Sequence, residues 1–209
     1  MFDVEPLRLA LIDGAPGAPE ATRALLSAGA GPAGVLRGAF LPAVDEIAAR
    51  LKEGSCAVPD VVRSAGALRS CLEVVLPEVR ERPLGVVVIG TPKGELHDLG
   101  KTVTALLLRA AGFEVHDVGT DVVPQAFVDG VVEHHATLLV MSGLLTTTVP
   151  GMRRVIEELV RAGLRERVKV LVGGTGVRRD AAQRIGADAG CATVAAAVER
   201  AWALSGVSL

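Results

Sequence analysis

One histidine in this 209-residue chain sits among residues that could put it to chemical use. The segment Gly94-Glu95-Leu96-His97-Asp98-Leu99-Gly100-Lys101 places a carboxylate two positions before His97. Neutral imidazole is a good ligand for a borderline transition metal, and a carboxylate on its other nitrogen fixes the tautomer and raises its basicity. Two further segments have the chemistry of a binding slot. Ser142-Gly143-Leu144-Leu145-Thr146-Thr147-Thr148 offers hydroxyls that donate and accept hydrogen bonds. Gly173-Gly174 has no Cβ atoms and so lets a bulky ligand approach the backbone. Taken singly, each has an ordinary reading. A loop histidine is commonly just solvated, Ser and Thr before a helix are commonly caps, and Gly-Gly after a strand is commonly turn chemistry.

Other chemistries find little support. There is no Ser-His-Asp arrangement, no Cys-rich zinc motif and no phosphate loop ending in Gly-Lys-Ser/Thr. His134-His135 ends a predicted helix, where positive charge is favourable, and His116 lies on a predicted strand, so all three read as structural. A net charge of −2 argues against nucleic acid as a partner. Apolar runs such as Leu84 to Gly90 are far too short to span a bilayer, and Met1-Phe2-Asp3-Val4-Glu5 does not open a signal peptide. Cys56, Cys71 and Cys191 are odd in number and widely spaced, which fits reduced thiols in a cytoplasm.

The elements that must position these residues divide into two parts. Residues 1–82 read as a helical bundle. A weak helix is expected over Glu5 to Ile12, then Pro19 to Ala28, Ala33 to Lys52 and a helix from Pro59 through Leu76, with the bundle ending near Glu81-Arg82-Pro83. Residues 83–209 alternate between short β-branched runs and helical stretches. Strands are expected at Gly85–Gly90, Glu114–Val118, Thr137–Ser142, Lys169–Gly173 and Ala187–Cys191. Helices are expected at Leu99–Ala111, Pro124–His134, Pro150–Ala162, Arg178–Ile185 and Val194–Leu204. Near-continuous apolar strands separated by helices imply an α/β fold with a five-stranded parallel sheet, in the flavodoxin-like order 2-1-3-4-5. In such a sheet ligands sit beyond the carboxyl ends of the strands. The loops after strands 1, 3 and 4 would then line one crevice holding His97, the hydroxyls and the glycine pair.

The spacing sharpens this. Residues 101–141 separate Gly100 from Ser142 and residues 145–172 separate Leu144 from Gly173, gaps of 41 and 28 residues. The order and spacing resemble the cobalamin-binding signature Asp-x-His-x-x-Gly, Ser-x-Leu and Gly-Gly. Asp117-Val118-Gly119-Thr120-Asp121-Val122, Leu144-Leu145-Thr146-Thr147-Thr148 and Val58-Pro59-Asp60-Val61-Val62-Arg63-Ser64-Ala65 also resemble corrinoid proteins of methyl-transfer systems. Those proteins, like the cobalamin module of methionine synthase, place a helical bundle as a cap before a Rossmann-type domain.

The resemblance implies that cobalamin (methylcobalamin or another corrinoid) is the cofactor and that His97 replaces its own base as lower ligand to cobalt. It implies a cofactor site drawn from Gly94, Glu95, Leu96, His97, Asp98, Gly100, Ser142, Leu144, Thr146, Gly173, Gly174 and Cys191. The cofactor supplies the nucleophile, so the chain reads as a non-catalytic methyl carrier. Its implied partners are methyltransferase subunits, together with a reductive activator. A cobalamin-dependent sensor or photoreceptor module is the alternative; the chain has no room for a signalling domain beside its two parts. A mutase subunit would leave the bundle unexplained. Three positions depart from the pattern. Glu95 stands where relatives have Asp, Gly190 where many have a large residue, and Cys56-Ala57-Val58 where an aromatic or large apolar residue is usual.

Overall fold

The structure is a computed structural model that describes residues 2–79, 82–177 and 179–205, without the side chain of Arg179. The described residues form two compact units, one on each side of residues 80–81.

The first unit is helical, with α1 (Glu5–Asp13), α2 (Ala18–Ser27), α3 (Pro32–Val35), α4 (Leu41–Glu53) and α5 (Val58–Val75). Proline stands in the first turn of α1, α2, α3 and α5, as Pro6, Pro19, Pro32 and Pro59, where a missing N–H leaves no bond unmade. At α5 the Asp60 carboxylate also accepts the Ala57 N–H at 2.7 Å. Leu7, Leu11, Phe40, Ile47, Leu68, Leu72 and Val75 are buried. The single helix expected over Ala33 to Lys52 is interrupted, because Leu36–Phe40 widens into a π-helical turn between α3 and α4. Pro42 supplies the reason: in a regular α-helix its ring would press on the Gly38 carbonyl, and it has no N–H to give. Glu81, named as the end of the bundle, lies outside the described residues.

The second unit is the α/β part. Its elements are β1 (Val86–Gly90), α6 (Leu99–Ala110), β2 (Glu114–Asp117), α7 (Pro124–Glu133), β3 (Leu138–Ser142), α8 (Val149–Arg161), β4 (Lys169–Gly173), α9 (Arg179–Arg184), β5 (Ala189–Cys191) and α10 (Val194–Leu204). The strands are parallel in the order β2-β1-β3-β4-β5, as the sequence pattern implies. Arg178, the expected start of the fourth helix in this half, lies outside the described residues. The last strand is shorter than expected. Asp188 ends the ladder early, since its carboxylate accepts the Val170 N–H at 2.7 Å, a bond a backbone carbonyl would otherwise make.

Strand alternation sends Val88, Leu139, Met141, Val170 and Val172 to one face, where they form one core with Phe127, Val131, Met152, Ile156 and Leu159 of α7 and α8. α6 and α10 pack together on the other. There Trp202, 2% exposed, donates its indole N–H to the Ala111 carbonyl at 3.0 Å. His116 of β2 and His134 at the end of α7 stack at a centroid separation of 3.6 Å. The register pairs Gly90 with Met141, Ser142 with Gly173 and Gly173 with Cys191, so these strands end level and release their loops side by side.

Trp202 is the single tryptophan, so its fluorescence reports this unit alone. Leu139→Ala, in the central strand, is expected to lower the urea midpoint read from Trp202 emission, by a stability loss of about 2–5 kcal/mol. An unchanged midpoint would contradict the packing described.

Candidate functional site

The β1–α6 loop is built around Glu95, whose side chain is 0% exposed. Its Oε1 accepts the His97 backbone N–H at 3.1 Å and lies 2.5 Å from His97 Nδ1. Its Oε2 accepts the backbone N–H groups of Leu144 at 2.8 Å and Leu145 at 3.1 Å, both in the loop after β3. The carboxylate therefore joins two loops and orients the imidazole. Burial alone would raise the Glu95 pKa. The hydrogen bonds from His97, Leu145 and Leu144 outweigh it and leave the carboxyl below its ordinary value of 4.5.

The main chain of Glu95 is held as firmly. Its N–H donates to the Pro92 carbonyl at 3.0 Å. Its carbonyl accepts the Thr91 hydroxyl at 2.7 Å and the Asp121 N–H at 3.0 Å. Gly94 has φ +87°, a left-handed conformation natural to glycine, and its N–H donates to the Asp121 carboxylate at 2.7 Å. Below the loop, buried Lys101 of α6 pairs with Asp117 at the end of β2. Thr91 and the Lys101–Asp117 pair carried no role in the sequence reading. Their partners lie on other elements, and no local spacing signals them.

His97 keeps 55% of its side chain exposed. With Nδ1 committed to Glu95, Nε2 is the nitrogen able to take a metal. Four leucines stand exposed on the same two loops and the first turn of α6: Leu96, Leu99, Leu144 and Leu145. Among the described residues no cluster of three or more His, Cys, Asp or Glu can hold a metal ion. A metal at His97 would therefore find fewer than three such ligands among the described residues and must bring others with it. A flat macrocyclic metal complex with apolar edges fits an exposed imidazole ringed by leucines.

The remaining predicted residues fall around this centre with differing roles. Asp98 is the exposed N-cap of α6, and its carbonyl accepts the Thr102 N–H at 2.8 Å. A Cβ on Gly100 would lie 3.7 Å from Ser142 Oγ, so α6 begins directly against the half-buried Ser142. Thr146 is exposed, while Thr148 is buried and donates its hydroxyl to the Leu145 carbonyl at 2.6 Å. Gly173 and Gly174 were expected to admit a ligand. The structure shows a tighter demand from the protein itself. A Cβ on Gly174 would meet the Gly143 carbonyl oxygen at 2.3 Å, and one on Gly173 the Cys191 carbonyl oxygen at 3.0 Å. A side chain on Gly176 would meet the Leu145 backbone at 2.5 Å. Gly174 and Gly176 bring the loops after β3 and β4 into backbone contact, and Gly173 lets β4 lie close to β5. Cys191 is buried beside Gly173, and burial pushes its thiol pKa up, so it offers bulk and not a reactive thiolate.

Three comparisons bear on this arrangement. Residues 85–201 match the B12 binding domain family. The chain is 36% identical over 176 residues to trimethylamine corrinoid protein 2 of Methanosarcina mazei, covering 82% of this chain and 81% of that one. Its structure resembles a cobalamin-binding protein from Desulfitobacterium hafniense, with a TM-score of 0.73 and 27% identity over 98% of this chain and 99% of the other. It also resembles a chain of the methanol:cobalamin methyltransferase complex of Methanosarcina barkeri, with a TM-score of 0.62 and 25% identity over 98% of this chain and 80% of the other.

The depressed Glu95 pKa has a signed consequence. Its contribution to stability is full above the ordinary value of 4.5 and is lost as pH falls through the lower folded value. Glu95→Gln is expected to cost about 1–3 kcal/mol at neutral pH and to flatten the acid limb of thermal stability below pH 4.5, relative to the wild type. Parallel acid limbs in both proteins would contradict this.

Proposed function

We propose, for a chain that belongs to the B12-binding corrinoid proteins of methyl-transfer systems, that His97 is its ligand to cobalt and holds cobalamin without the cofactor's own base. The chain binds cobalamin and carries a methyl group between methyltransferase partners. Bound cobalamin supplies the metal-centred nucleophile that accepts and gives up the methyl group. The rest is the work of side chains. The observation that carries the reading is the His97 Nδ1–Glu95 contact of 2.5 Å on a ring that is otherwise half exposed. Glu95 accepts a hydrogen bond from the Nδ1–H, so Nε2 presents its lone pair. Leu96, Leu99, Leu144 and Leu145 offer apolar contact to a macrocycle and exclude water from its edge. Ser142 and Thr146, with the Gly173-Gly174 turn, form the side of the site given to the displaced nucleotide tail.

Its partners, in this reading, are a methyltransferase that loads it, one that unloads it, and a reductive activator that rescues oxidised cobalt. Choice of methyl donor belongs to the loading methyltransferase. The free thiols Cys56, Cys71 and Cys191 support a reducing, cytoplasmic setting. Among the described residues no helix is long and apolar enough to cross a membrane.

The test is reconstitution with hydroxocobalamin followed by gel filtration and visible spectroscopy, for the wild type and His97→Ala. The wild type is expected to retain corrinoid with a base-off, His-on spectrum that disappears in the variant. Identical spectra in both, or no corrinoid retained by the wild type, would overturn the assignment.

A further inference from the structure

The β2–α7 loop contributes nothing to the matched signature, yet it is hydrogen-bonded along the segment that leads into His97. Asp121 adopts φ +55°, a left-handed conformation that side chains other than Asn, Asp and Gly rarely accept. In that conformation one residue makes three contacts with residues 91–95. Its Oδ1 accepts the Gly94 N–H at 2.7 Å. Its own N–H donates to the Glu95 carbonyl at 3.0 Å and reaches the Thr91 hydroxyl at 3.2 Å. Neighbouring backbone bonds continue the grip. Thr91 donates to the Gly119 carbonyl at 3.1 Å and accepts from the Val122 N–H at 3.0 Å. The outer Asp121 oxygen lies 3.4 Å from Lys93 Nζ, an exposed pair that contributes little.

The contacts to Gly94 and Glu95 fall on either side of the peptide that joins them. They fix where the Glu95 side chain departs, and that side chain links His97 to Leu144 and Leu145. We infer that Asp121 is a positioning residue for the Glu95–His97 pair: it holds the Gly94–Glu95 peptide so that the carboxylate reaches the imidazole and the β3 loop together. The left-handed turn is what aims both the side-chain acceptor and the backbone donor at the same peptide. The Asp121 carboxyl lies below its ordinary pKa because it accepts the Gly94 N–H and, secondarily, faces Lys93, in keeping with a working acceptor.

This inference rests on the assignment of His97 as the cobalt ligand, and its test separates the two. Asp121→Gly keeps the left-handed backbone without strain but removes the acceptor, whereas Asp121→Asn keeps both. Amide hydrogen exchange is read on the cofactor-free protein, at Gly94 and at the distant reporters Leu144 and Leu145. The His-on fraction is read after hydroxocobalamin is added. Asp121→Gly is expected to fold with wild-type circular dichroism, to exchange at all three amides roughly tenfold or more faster, and to show a lower His-on fraction. Asp121→Asn is expected to stay near the wild type in both readouts. Wild-type exchange at Leu144 and Leu145 in Asp121→Gly would overturn the inference, as would an Asp121→Asn protein no better than Asp121→Gly. If the wild type itself gives no His97-dependent spectrum, the ligand assignment fails, and exchange at Leu144 and Leu145 still decides whether Asp121 places Glu95.

Discussion

A buried carboxylate with every lone pair used is the constraint on which this site depends. A carboxylate taken out of water without partners costs several kcal/mol. Glu95 meets that demand with N–H groups from the His97 backbone, the His97 ring, Leu144 and Leu145. Those donors belong to two loops that are 49 and 50 residues apart along the chain at the Leu144 and Leu145 bonds. They can meet at one carboxylate only if β1 and β3 are adjacent and end level, which the Gly90–Met141 register ensures. The parallel sheet is thus the device that lets one glutamate orient one histidine.

The same requirement explains the small residues around it. The loop after β3 must present two consecutive N–H groups to Glu95, which leaves it little freedom. The loop after β4 then packs on it so closely that Gly174 and Gly176 approach backbone atoms directly. Any side chain there would push the β3 loop, and with it Leu144 and Leu145, away from the carboxylate. Gly174 and Gly176 therefore shape the imidazole's surroundings from a distance.

Much of this was legible from residue order. Strand and helix alternation implied the sheet order, and with it that the loops after β1, β3 and β4, which carry His97, Ser142 and Gly173, leave neighbouring strands. What stayed hidden was non-local. From sequence alone Glu95 looked like a departure from the usual Asp. The structure shows what its geometry achieves: Oε1 engages His97 while Oε2 reaches the β3 loop. The close backbone approach at Gly174 and Gly176 was not visible, because a glycine's neighbours in space cannot be read from its neighbours in sequence. The π-helical turn at Leu36–Phe40 follows from Pro42, yet periodicity counts only apolar positions and so ran one helix through it. Asp121 lay in a motif without a role, since its meaning depends on a left-handed φ and on a loop some thirty residues earlier.

The central claim is that the nitrogen beneath cobalt comes from His97, with Glu95 behind it. The most direct measurement is electron paramagnetic resonance of the cob(II)alamin-loaded protein, prepared with natural-abundance and with 15N-labelled histidine. Ligation by His97 predicts superhyperfine splitting from one axial nitrogen that changes from a triplet to a doublet on labelling, and that is lost in His97→Ala. Splitting indifferent to the histidine label would show that the axial nitrogen comes from the cofactor's own base and would contradict the account.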